Sequence, residues 1–204
     1  MVPEEGPPPG PPRRPAMRRI AVMGSSGSGK STLARRLGEI LGLPVVHMDA
    51  LFWRPGWVEA PEEEWRALHD EAVRGDAWVI DGNYSRTLET RLARADTVVF
   101  LDLPRWRCLW RVLWRRVRYA GRVRPDIAPG CPEKVDWEFL SWIWRWHAES
   151  RPRHLATLGE HAREKDVVIL RSPRDVRAFV AQVEREAGAA AGAHVRLEGP
   201  PGPW

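Results

Sequence analysis

The run Gly24-Ser-Ser-Gly-Ser-Gly-Lys-Ser31 carries the first clear chemistry in this chain of 204 residues. It satisfies the spacing G-x-x-x-x-G-K-[ST] without a mismatch. Glycines at these positions let the backbone wrap so that successive N–H groups point inward at phosphate oxygens. The lysine adds a mobile positive charge, and a helix opening at the end of the loop adds its partial one. Gly24, Ser25, Ser26, Gly27, Ser28, Gly29, Lys30, Ser31 and Thr32 are therefore the expected phosphate-binding residues. Lys30 is placed to reach the β- and γ-phosphates of ATP, and Ser31 to ligate Mg²⁺.

Three carboxylates follow at the ends of short apolar runs: Asp49 after Val45-Val-His-Met48, Asp81 after Trp78-Val-Ile80, and Asp102 after Thr97-Val-Val-Phe-Leu101. Ligands of open parallel sheets bind along the edge where strands end, so all three lie where a ligand would. Asp81 closes the run best suited to holding a Mg²⁺ water. Asp102 is followed by Pro104 and is expected to cap the next helix.

Between positions 105 and 124 there are eight arginines (105, 107, 111, 115, 116, 118, 122 and 124) and no acidic residue. Arginine suits phosphate through its planar fork of donors, although a GC-rich coding sequence also delivers it freely. Trp106, Trp110 and Trp114 recur every four residues in the same tract. That spacing, faced by Trp137, Trp142, Trp144 and Trp146 downstream, predicts two helices burying large rings against each other. Trp53 and Trp57 lie instead in a Pro/Gly-punctuated loop just after Asp49, where an aromatic ring could stack on a ligand. His47 alternates within a strand and Cys108 sits mid-helix, and both read as packing residues. Arg151 and Arg153 flank Pro152 and could reach phosphate.

The elements that must position these groups alternate. Strands are expected at 19–23, 44–48, 78–80, 97–101 and 166–170, each a short β-rich run, with longer helical periodicity between them. Ser172-Pro-Arg-Asp175 has the form of a capping box for the last helix. Five buried strands with helical connections predict an α/β fold in three layers around a parallel sheet. Residues 1–16 hold seven prolines and read as a disordered arm; 187–204 reads as a flexible Ala/Gly/Pro tail; 17–186 is one domain.

Composition removes several classes. A hydrophobic content of 43% supports a core, and two cysteines supply no disulfide framework. No apolar run is long enough to span a membrane and no signal peptide is legible, so a cytoplasmic protein with no membrane partner is expected. Asn83 is the sole asparagine and Gln182 the sole glutamine, which excludes the N-K-x-D guanine-reading motif and an L-S-G-G-Q signature.

The run Gly24–Ser31, with His47-Met-Asp-Ala-Leu-Phe-Trp53, Val79-Ile-Asp-Gly-Asn-Tyr84, Phe100-Leu-Asp-Leu-Pro104, Arg122-Val-Arg-Pro-Asp126 and Gly130-Cys-Pro-Glu-Lys134, resembles the adenylate-kinase-like family labelled topology modulation proteins. More distantly, the chain is similar to shikimate, gluconate and nucleoside monophosphate kinases. The resemblance covers about residues 18–180 and implies a P-loop NTPase sheet of order 2-3-1-4-5. It also implies a lid at about 115–135 whose Arg115, Arg118 and Arg122 close over ATP, an acid at Asp49 that meets the acceptor hydroxyl, and adenine held near Ser172 and Pro173. The expected activity is Mg²⁺-ATP-dependent phosphoryl transfer to a small acceptor by a monomer or weak dimer. The alternatives are a nucleotide-regulated nucleic-acid-binding protein using the arginine tract, and an ATPase-like switch without an acceptor.

Overall fold

The computed structural model describes residues 17–197, with side chains described through 189; the arm expected at 1–16 lies outside the described residues. The chain runs β1 (Arg19–Gly24), α1 (Lys30–Leu41), β2 (Val45–His47), α2 (Met48–Phe52), β3 (Trp53–Arg54), β4 (Val58–Glu59), α3 (Glu62–Arg74) and β5 (Trp78–Asp81). A 3-10 turn (Ser85–Thr87), α4 (Leu88–Arg94), β6 (Thr97–Leu101), α5 (Arg105–Arg118), α6 (Trp137–His161), β7 (Asp166–Leu170) and α7 (Pro173–Leu197) complete it.

The five-stranded sheet has the order β2-β5-β1-β6-β7 and every pair in it is parallel. Counting only its own strands along the chain, this is 2-3-1-4-5, as expected. Side chains on a strand alternate between faces. Ile20 and Val22 of β1 join Leu33, Leu37, Val79, Val99 and Phe179 in a core under α1 and α7. Ala21 and Met23 join Trp65, Trp78, Ile80, Phe100 and Trp146 in a second core under α3, α4 and α6. Both faces are covered, so the strands read as unbroken apolar runs.

Three expectations are corrected. Trp106, Trp110 and Trp114 are 60%, 64% and 51% exposed, and Trp137, Trp142 and Trp144 are exposed too; of the two clusters only Trp146 is buried. The inward face of α5 is Cys108 and Val112, packed with Leu103 and Ile143. The reason is close approach: a Cβ on Gly27 would collide with the Cys108 carbonyl and lie 2.9 Å from Val112 Cγ2, so only small side chains fit between α5 and the Gly24–Gly29 loop. Second, Asp102 caps nothing. It takes a two-pronged pair from Arg151, Nε to Oδ1 at 2.6 Å and the second nitrogen to Oδ2 at 2.7 Å, tying α6 to the end of β6. Third, α7 continues to Leu197, into the first part of the 187–204 segment expected to be tail, and Ala189-Ala-Ala191 supplies the helix propensity for it; 198–204 lies outside the described residues.

Candidate active site

The loop from Gly24 to Gly29 joins β1 to α1 and makes three turns that a side chain would strain: φ is +144° at Gly24, +77° at Gly27 and +99° at Gly29. A Cβ on Gly24 would sit 2.6 Å from the Leu101 carbonyl oxygen. The loop is pinned from outside as well. Asn83 holds Gly24 at both polar groups, its Nδ2 donating to the Gly24 carbonyl at 2.9 Å and its Oδ1 accepting the Gly24 N–H at 3.1 Å. Arg111 of α5 donates to the Ser28 carbonyl at 2.8 Å. Lys30 Nζ donates to the Ser25 carbonyl at 3.1 Å. Burial pushes the Lys30 ammonium below its ordinary pKa, and the negative charges of Asp49 and Asp81 oppose that shift.

A cleft of about 1300 Å³ opens over the loop and runs from Val176 and Val180 of α7 to Trp53 and Trp57. Asp49 lines it, in the first turn of α2 rather than at the tip of β2. Tyr84 donates its hydroxyl to Asp49 Oδ1 at 2.7 Å. Burial, together with the Asp49 charge, drives the Tyr84 phenol far above its ordinary range, so it remains a donor. Asp81 is buried behind the cleft lining and accepts from His47 Nδ1 at 2.7 Å. Burial works against the His47 cation, but the hydrogen bond and charge of Asp81, aided by Asp126, outweigh it and raise its pKa.

The segment between α5 and α6 crosses the cleft as an ion-paired strap. Arg115 Nε reaches Glu133 Oε1 at 2.7 Å, Arg124 Nε lies 2.7 Å from Glu133 Oε2 though angled off a hydrogen bond, and Arg124 reaches Asp126 at 3.0 Å. Glu133 is 2% exposed, so this network sits largely out of water. Burial raises the Asp126 pKa, while the Arg124 charge and the nearby Ser31 hydroxyl more than reverse it. At its far end the strap is clasped to the β3–β4 hairpin. Trp57 Nε1 donates to the Pro132 carbonyl at 2.9 Å, Gly56 N–H to the Gly130 carbonyl at 2.9 Å, and Ile127, Ala128 and Cys131 pack against Trp53 and Trp57.

The predicted site residues are thus partly assembled. Lys30, Ser31, Asp49 and Arg115 line one cleft. Arg118 instead stacks over Trp114 at 5.3 Å, Arg122 lies exposed in the turn after α5, and neither lines the cleft. Arg151 is taken by Asp102, whereas Arg153 does line the cleft; both lie inside α6, which runs through Pro152. Cys108 is buried and its thiol is pushed up to about 11 by burial, which suits packing rather than attack. Sequence reasoning missed Asn83, Tyr84, Asp126 and Glu133. All four stand inside runs that carried the family resemblance, Asn83 and Tyr84 in 79–84, Asp126 in 122–126 and Glu133 in 130–134, but no role was read for them.

The loop fits a triphosphate on its own terms. The Ser25 and Ser28 hydroxyls are buried without a hydrogen-bond partner, and the cradle has no room for a Cβ at Gly24. Among the described residues no three His, Cys, Asp or Glu side chains gather as a metal cage. Mg²⁺ bound with a nucleotide needs none, since it keeps waters and takes one or two protein ligands beside the phosphates.

No protein-family model matches this chain, and no curated protein matches it. Solved structures do. A shikimate kinase from Bacteroides thetaiotaomicron covers 83% of this chain and 98% of its own at 21% identity, with a TM-score of 0.50. A gluconokinase from Sinorhizobium meliloti covers 90% and 98% at 18% identity and 0.47. A shikimate kinase from Acinetobacter baumannii in complex with shikimate covers 86% and 95% at 16% and 0.49. The likeness is one of fold. The Bacteroides enzyme shares the α/β architecture built on a five-stranded parallel sheet.

Proposed function

We propose that this chain is a Mg²⁺-ATP-dependent phosphotransferase acting on a small acceptor. The observation that carries the reading is the arrangement of one cleft. A phosphate cradle with Lys30 and Ser31 faces a carboxylate, Asp49, whose orientation is held by Tyr84. Beyond Asp49 the same cleft continues to an aromatic hairpin under a strap.

Mg²⁺-ATP bound there would supply the phosphoryl group and neutralise part of its charge. The chain's own residues do the rest. Loop amides and the half-buried Lys30 side chain hold phosphate charge in a cleft that shields it from water, where it counts for most. Ser31, with Asp81 behind it, is the reading for the metal side. Asp49 is positioned to accept the proton of an acceptor hydroxyl while Tyr84 donates to its other lone pairs. Arg111 and Arg115 form the positive wall opposite. Trp53 and Trp57, capped by the strap, exclude water around the acceptor.

The experiment is ADP release over nucleotides, nucleosides, sugars and sugar acids, with Lys30→Ala as control. Turnover with one acceptor class that collapses in Lys30→Ala, while circular dichroism stays unchanged, supports the reading. Turnover in Lys30→Ala within a few-fold of the parent refutes it.

A further inference from the structure

Helix α5 has two apolar faces, and the outward one is the larger. At about 100° per residue, Leu113, Trp106, Val117, Trp110 and Trp114 fall within one sector opposite Cys108 and Val112. All five are exposed, from 45% at Leu113 to 76% at Val117. Arginines border this crest on both sides: Arg105 and Arg116 along one edge, Arg107 and Arg118 along the other. Three of them lie over indoles, Arg107 over Trp106 at 5.0 Å, Arg118 over Trp114 at 5.3 Å, and Arg105 over Trp144 of α6 at 3.7 Å. No acidic residue occurs between Arg105 and Arg124. A contiguous apolar crest of this kind on a water-facing helix marks a contact surface.

We propose that the α5 crest docks this protein onto an anionic phospholipid surface. No helix of the described residues is long and apolar enough to cross a membrane, so the contact is one of lying on the interface, which the expectation of no membrane partner did not weigh. Three features select this partner. The crest is convex, which suits a deformable plane; single-stranded nucleic acid is bound in grooves that track its backbone. Leu113 and Val117 are aliphatic and match acyl chains, while indoles sit at the headgroup level. The bordering arginines can lay their stems along the apolar surface and raise their guanidinium groups to lipid phosphates. A second copy presenting the same face would instead bring arginine borders together with no acid between them. The proposal is independent of the phosphotransferase reading, because the crest points away from the cleft.

The test is co-sedimentation of the full chain with phosphatidylcholine vesicles, with and without about a third phosphatidylglycerol. A triple variant, Trp106→Ser, Trp110→Ser and Trp114→Ser, alters only exposed positions and keeps the fold, checked by circular dichroism and thermal unfolding. Binding to the anionic vesicles alone, weakened by salt and lowered about tenfold or more in the triple variant, supports the proposal. Absence of binding overturns it, as does binding that the triple variant retains. A mass that doubles with concentration in the parent but not in the variant puts a second copy on the crest and overturns it too. So does preferential, crest-dependent binding of a single-stranded oligonucleotide. Tryptophan emission that shifts red on deleting residues 1–16, without vesicles present, would give the crest to the chain's own arm and equally refute lipid docking.

Discussion

Asn83→Ala isolates the contact that sets the start of the phosphate loop. Its side chain makes two hydrogen bonds to Gly24, one to the carbonyl at 2.9 Å and one from the N–H at 3.1 Å. Gly24 is buried, so removing the amide leaves a backbone donor and an acceptor without their partner. Each such orphan costs about 1–3 kcal/mol. Asn83 itself is only half-buried, so water can enter and the low end applies, giving about 2–3 kcal/mol in total. For a domain of this size that is a fall in Tm of about 4–12 °C. Gly24 has a φ of +144° that Asn83 holds in place, so the loop should also lose its set geometry. Nucleotide affinity, measured by calorimetry at a temperature where the variant stays folded, should drop about tenfold or more. A variant with the parent's Tm and the parent's affinity would show that the loop holds its own shape, and the reasoning would fail.

The arginines of α5 should separate by position rather than by number. Arg115→Ala is expected to lower kcat by roughly 10²–10³-fold with little change in nucleotide affinity, whereas Arg118→Ala and Arg122→Ala stay within about threefold of the parent; equal losses at all three would mean the strap rearranges to bring the outer pair in. Arg151→Ala leaves the buried Asp102 carboxylate with only the exposed Arg171 nearby, its Nε 3.9 Å from Oδ2, and should destabilise by about 1–3 kcal/mol, with Asp102→Ala/Arg151→Ala less than additive in urea unfolding; strict additivity would show that the pair contributes nothing. His47 carries a raised pKa beside Asp81, so the pair's contribution is fully present below about pH 6.5 and lost as pH rises through the folded value. The stability difference between the parent and His47→Asn should therefore shrink from about pH 5.5 to 8.5, and a difference that grows over that range contradicts the assignment.

Local rules determined much of this protein from the sequence alone. The Gly24–Gly29 loop is a backbone device whose glycine spacing states the turns it makes, although Asn83 and Arg111 pin it from elsewhere in the chain. Continuous apolar runs 20–23, 78–80 and 98–101 require a sheet covered on both faces, and that is how β1, β5 and β6 are buried. The strand order followed from the motif resemblance and is matched by the sheet. Tertiary structure alone decided which way α5 faces. Periodicity says that Trp106, Trp110 and Trp114 share a side of a helix, but the approach of Gly27 to the Cys108 carbonyl forces that side outward. The same holds for partners distant in sequence: Asn83 with Gly24, Tyr84 with Asp49, Arg115 with Glu133, and Asp102 with Arg151. A lone side chain carries no trace of a partner 18 to 59 residues away. Only packing brings the two together, because the contact exists in the fold and nowhere in the local chain.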